Sequence, residues 1–126
     1  MIGKEDLKQR TQSLAVEIVR LVNQLPRSAA GDVLGRQVIR SATSVGANYR
    51  AACRAQSTPV FLSKLATVIE ESDETQYWLE LLFQLGLMEE HDFKRLHHEA
   101  NELTAIFVAS RKTAQTNSKA RSLHPA

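Results

Sequence analysis

The stretch LGRQVIRSATSVGANYRAACRAQSTPVFLSKLATVIEESDETQYWLELLFQLGLM, residues 34–88, decides the fold. Its first half carries apolar or small side chains at Leu34, Val38, Ala42, Val45, Tyr49 and Ala52. These steps of three and four keep one face of a helix. Ser57, Thr58 and Pro59 then read as a helix start, a capping hydroxyl followed by a proline in the first turn. The second half repeats the helical period through Phe61, Leu65, Val68, Ile69, Leu79, Leu82 and Phe83. Gly86 followed by Leu87 suits a glycine cap with its hydrophobic contact.

Working outward, the same period appears on both sides. Before the stretch it runs through Leu7, Leu14, Ile18, Leu21, Val22 and Leu25, and Pro26 closes that segment. The second helix is expected to start between Ser28 and Val33, where Gly31 and Gly35 blur the boundary. After the stretch come Phe93, Leu96, Ala100, Leu103 and Phe107. Beyond Thr113 the chain turns small and polar, which reads as a flexible basic tail over 114–126 after a single domain over 1–113. Short connections between amphipathic helices of this length favour antiparallel neighbours. The expected fold is therefore all-α, an antiparallel up-down-up-down four-helix bundle.

Composition excludes several classes. One cysteine in 126 residues leaves no disulfide framework. Five glycines and three prolines are too few for the many turns of an all-β chain. No apolar run reaches the ~20 residues of a membrane span. The charged first ten residues lack the apolar core of a signal peptide, so a cytoplasmic location is expected.

The net charge of +2 conceals strong segregation. Residues 1–59 balance at +5, residues 60–110 at −7, and residues 111–126 at +4. No acid occurs between Val33 and Lys64. On a helical wheel Arg36, Arg40, Arg50 and Arg54 fall within an arc of about 80°, opposite the apolar stripe. Arginine's planar fork of donors suits phosphate, so this strip reads as a phosphate-binding face, with Arg111, Lys112, Lys119 and Arg121 of the tail as helpers. The alternatives are a solvated face, or ion pairs with the acidic third helix. No aromatic residue interleaves with the strip, so base stacking on it is not expected.

The third helix carries Glu70, Glu71, Asp73 and Glu74 at its middle. Trp78, Leu81 and Leu85 continue the outer side that holds Glu70 and Glu74. A monomer would expose these three apolar residues, so the face reads as a subunit interface. The alternative is packing inside one bundle. Ser41, Ser44, Asn48, Ser72, Thr75 and Gln76 border the apolar faces of helices two and three and suggest a polar layer that fixes register. A small-molecule or metal site is the other reading of that layer.

Enzyme chemistry has little support. No histidine has a glutamate three residues before it, as ferritin-like sites need. Glu70 with Glu74, and His98 with Glu102, are unsupported pairs, and Cys53 reads as a small core residue. Neither a phosphate-cradling glycine loop nor a serine elbow occurs. No catalytic residue, cofactor, metal, membrane partner or small-molecule ligand is expected.

Arg40-Ser41, Ser44-Val45, Asn48-Tyr49-Arg50 and the block from Glu70-Glu71 to Trp78-Leu79, taken together, resemble one family. It comprises the small four-helix-bundle proteins encoded within intervening sequences of bacterial large-subunit ribosomal RNA genes. The resemblance runs from about Leu7 to Phe107. It implies a homopentamer of antiparallel bundles, similar in fold to the accessory protein of diversity-generating retroelements, which binds nucleic acid and a reverse transcriptase. The expected function is thus a non-catalytic homo-oligomer, a pentamer by resemblance, that binds RNA or DNA backbone through its arginine face. The alternative is a protein-interaction scaffold in which basic helix two pairs with acidic helix three of a neighbouring subunit.

Overall fold

A computed structural model describes residues 2–123. They form four helices: α1 (Lys4–Asn23), α2 (Ala29–Cys53), α3 (Thr58–Gln84) and α4 (Glu90–Leu123). Local chemistry places the boundaries. Ser28 caps α2 by accepting from the Gly31 amide at 2.9 Å, which settles the uncertain start of that helix. Ser57 accepts from the Val60 amide at 3.3 Å, with Pro59 in the first turn of α3. At the other end of α3, Gly86 takes a φ of 72°. The Leu87 amide then reaches the Leu82 carbonyl and the Gly86 amide the Phe83 carbonyl, both at 2.9 Å. That pair of hydrogen bonds is the Schellman arrangement, and it turns the chain into α4.

Each helix runs antiparallel to its chain neighbour. Gly46 lies against Thr11 and Gly35 against Val22, so α2 descends as α1 rises. Between α3 and α4, Thr104 bonds Gln76, His97 bonds Glu80, and Phe93 stacks on Phe83 with ring centres 4.5 Å apart. The bundle closes where α4 returns to α1, through Arg10 with Glu99 and Arg95 with Glu17. That last seam adds ion pairs to the core that Leu14 and Ile18 share with Leu96 and Leu103.

The core is the predicted apolar set. Leu14, Ile18, Val38, Val45, Leu65, Val68, Leu79, Leu82, Leu96, Leu103 and Phe107 are buried, each worth about 1.5–3 kcal/mol relative to exposure. Tyr49 and Phe107 meet with ring centres 5.1 Å apart, joining α2 to α4. The polar layer is also present. Thr75 and Ser41 hydroxyls lie 3.0 Å apart, Thr104 and Ser72 hydroxyls 2.8 Å, and the Gln76 amide donates to Thr104 at 2.9 Å. Ser44 and Asn48 stand apart from this ladder and bond each other at 2.8 Å. Thr104, which the sequence pattern did not single out, is the hub on α4.

The segment read as a tail differs. Residues 114–123 continue α4 as helix; residues 124–126 lie outside the described residues. Between Thr113 and Leu123 there is neither glycine nor proline, and extending a helix avoids the cost of nucleating one. Half-buried Arg111, Ala114, Gln115 and Ser118 carry the inward stripe on from Phe107. The small side chains of Ala114 and Ser118 line a hollow with Cys53 and Phe61 at the start of α3.

Candidate nucleic-acid interface

Antiparallel packing redistributes the charges that the chain order segregates. The start of α1, the end of α2, the start of α3 and the end of α4 all lie at one end of the bundle. That end carries Lys4, Arg50, Arg54, Lys64, Arg111, Lys112, Lys119 and Arg121. Among the described residues none of these eight makes an ion pair. Its carboxylates among the described residues are Glu5 and Asp6, and Glu5 is taken by Lys8 at 3.1 Å. The other acids sit in the middle of the bundle and at the opposite end.

The four-arginine strip therefore divides. Arg50 and Arg54 are exposed and line a groove of about 730 Å³ between α1 and α2, with Glu5, Asp6, Gln9, Gln12 and a floor of Gly46 and Ala47. Arg36 is exposed near the opposite end, in a cleft with Arg27 and Asp32. Arg40 is consumed within its own chain. It donates to Glu71 at 3.2 Å and to Glu74. A free strip along the whole of α2 is thus replaced by a basic cluster at one end. Arg111 is only half-exposed and its Nε is enclosed without a hydrogen-bond partner, whereas Lys112 is exposed. Lys4 and Lys64 were missed in the sequence because they stand 60 positions apart; only the antiparallel fold brings them to the same end.

A second hollow, about 400 Å³, opens at the mouth of this end between Lys4, Cys53, Gln56, Phe61, Asn117 and Arg121. The middle of the bundle behaves differently. Arg10 is clamped by Glu99 and Glu102, and the Glu99 hydrogen bond holds its guanidinium well above the usual range against the opposing effect of burial. Such a group is committed to structure.

The outer face of α3 is partly as expected. Glu70 is exposed, and Glu74 is half-buried beneath Arg40 while accepting from the Trp78 indole at 3.1 Å. Trp78 and Leu81 are half-buried, so the bundle itself covers part of them. Leu85 is 58% exposed and is joined by Tyr77 at 52%, whose ring meets the Trp78 ring edge-on at 5.1 Å. Val33, 56% exposed, lies two turns before Ser41 on α2. Because Ser41 opposes Thr75, Val33 comes level with the last turn of α3. The wheel could not find Tyr77 or Val33 without knowing which way the two helices rotate against each other.

Among the described residues no three His, Cys, Asp or Glu side chains are grouped to hold a metal ion. No helix among them is long and apolar enough to cross a membrane.

Fold and surface thus define a helical-bundle protein with one cationic end. The chain belongs to the 23S rRNA-intervening sequence protein family, whose model matches residues 4–109. It is similar to a crystal structure, solved at 1.70 Å, of a protein of unknown function from the S23 ribosomal protein family of Bacteroides thetaiotaomicron VPI-5482. The two are 32% identical with a TM-score of 0.81, over 88% of this chain and 99% of that one. No curated protein matches the chain.

Proposed function

We propose that this protein is a non-catalytic, homo-oligomeric bundle that binds RNA or DNA through the phosphate backbone, with the cationic end as its contact surface. The observation that carries the reading is the gathering of Lys4, Arg50, Arg54, Lys64, Lys112, Lys119 and Arg121 from all four helices, without acidic partners among the described residues. Cations that are not neutralised internally are available to displace counterions from a polyanion, which is the main source of sequence-independent affinity. Repetition of the surface around an oligomer, a pentamer in the fullest form of the proposal, multiplies the effective concentration of such contacts. A family named for intervening sequences of 23S rRNA makes RNA the first ligand to test.

The scaffold reading survives in altered form. Arg40 already has its carboxylates on α3 of the same chain, so charge pairing between subunits through Arg40 loses its basis. A scaffold would use the apolar face of Tyr77, Leu85 and Val33 instead.

The test is gel-shift titration of a structured RNA across a salt series. Affinity is expected to fall steeply with salt. Arg50→Ala combined with Arg54→Ala reduces the log–log slope by about 2, at about 0.9 for each phosphate no longer neutralised. Arg36→Ala leaves the slope nearly unchanged. Failure of any structured RNA or DNA to shift at low salt rejects the reading.

A further inference from the structure

The cationic end is unusual in what it lacks for a nucleic-acid surface. The phenylalanine, tyrosine and tryptophan rings all lie among the described residues: Tyr49, Phe83, Phe93 and Phe107 pack in or against the core, and Tyr77 and Trp78 lie on the outer face of α3 toward its C-terminal end. Tyr49, Phe61 and Phe107 lie toward the cationic end, where Tyr49 and Phe107 are buried against each other and Phe61 is half-buried against the core. Proteins that hold single strands rely on exposed rings on which successive bases stack, each worth about 1–3 kcal/mol. Among its described residues this surface offers no exposed phenylalanine, tyrosine or tryptophan ring.

The cations are also spread rather than aligned. Lys4 comes from α1, Arg50 and Arg54 from α2, Lys64 from α3, and Lys112, Lys119 and Arg121 from α4. Neighbouring axes in a bundle lie about 8–10 Å apart and each helix is about 10 Å thick, so the end is roughly 20 Å across. A single strand following one groove meets only part of that array. A duplex presents two phosphate rails and a line charge of about one per 1.7 Å, and it can engage cations on several helices at once.

Resting on the proposed nucleic-acid reading, we infer that the ligand is double-stranded: the bundle end recognises paired phosphate rails of a helix and discriminates against unpaired strands. RNA duplexes are read chiefly by shape, phosphate and 2′-hydroxyl contacts, a mode that needs no exposed ring.

The experiment compares three probes with equal numbers of nucleotides at one salt concentration: an RNA hairpin, a DNA duplex and unstructured oligo-uridine. The paired probes are expected to bind at least about tenfold tighter than oligo-uridine. Preference for the hairpin over the DNA duplex assigns the source as RNA, and the reverse assigns it as DNA; either order supports duplex recognition. Oligo-uridine binding as tightly as both paired probes overturns this inference while leaving backbone binding intact. No binding of any probe rejects the underlying reading instead. Arg50→Gln with Arg54→Gln is expected to weaken the paired probes more than oligo-uridine, and equal weakening of all three counts against the duplex contact.

Discussion

Arg40 is bound by Glu74 of the adjoining helix, and the same carboxylate accepts the indole N–H of Trp78. Glu71 completes the contact at 3.2 Å. One arginine thus ties α2 to α3 at the level of the Ser41–Thr75 pair. Nearly half of the Arg40 side chain remains in solvent, so screening keeps the pairing modest. Arg40→Ala is expected to lower stability by about 1 kcal/mol in urea unfolding and to leave nucleic-acid affinity within about twofold. A large loss of affinity with unchanged stability would return Arg40 to the binding surface. Arg40→Glu combined with Glu74→Arg recovers part of the loss, since the pair is then reversed rather than broken.

How far the sequence reveals this molecule follows from what each signal depends on. Helix positions are legible because Leu65, Val68 and Leu79 repeat at a local period, and Ser57 and Gly86 mark boundaries through their immediate neighbours. The continuation of α4 is not, because residues such as Ala114 and Ser118 carry no hydrophobic signal and are held by what lies across from them. The arginine strip is legible as a helix face but not as a site. Whether Arg40 and Arg50 are available depends on the opposing helix: α3 brings carboxylates to Arg40, while α1 brings none within bonding distance of Arg50. Lys4 and Lys64 join the cationic end through topology alone.

The exposed apolar face makes a prediction about assembly. Tyr77, Leu85 and Val33 each leave more than half of their surface in water, on adjoining outer parts of α2 and α3. A face of this kind is a candidate contact between copies. The wild-type chain is expected to run as an oligomer in light scattering at micromolar concentration. Leu85→Glu with Val33→Glu shifts it toward monomer, and because both sites are exposed the fold itself loses little, within about 0.5 kcal/mol per site. A variant that keeps the wild-type mass removes this face from the interface.

Gly35 tests how closely α1 and α2 approach. A β-carbon there would stand 2.7 Å from Cγ1 of Val22, and Val22 is branched at Cβ and has little freedom to turn aside. Gly35→Ala gains up to about 1 kcal/mol of helix propensity, yet the clash is expected to outweigh it, with a net loss of about 1–2 kcal/mol. Adding Val22→Ala makes room, so the two substitutions are non-additive and the double variant is more stable than the sum of the singles implies. Gly86→Ala supplies the contrast. Nothing stands within 4 Å of a β-carbon there, and its cost of about 1 kcal/mol comes from the φ of 72° alone. Gly86→Ala therefore does nothing to relieve Gly35→Ala, and strict additivity of Gly35→Ala with Val22→Ala would show that α1 yields instead of clashing.

Tyr49 sets an alkaline limit. Burial holds its hydroxyl well above the ordinary value, and the Cys53 thiol beside it adds to the effect. In the unfolded chain the phenol ionises near pH ~10, whereas the folded chain retains the proton. Above that pH the unfolded state therefore binds fewer protons than the native state, and stability falls as pH rises. The contribution is fully present below about pH 9 and declines by up to about 1.4 kcal/mol per pH unit above about pH 10. Urea midpoints measured stepwise from about pH 8 to about pH 11 check the window. Tyr49→Phe keeps the ring against Phe107 and removes the ionisable group, so its midpoint should fall less steeply over the same range. In a Tyr77→Phe background the remaining tyrosinate absorbance should rise together with unfolding. Ionisation of Tyr49 well before the helical signal is lost would mean that water reaches the hydroxyl in the folded bundle, and the packing of α2 on α4 at that end would then be looser than the Tyr49–Phe107 contact implies.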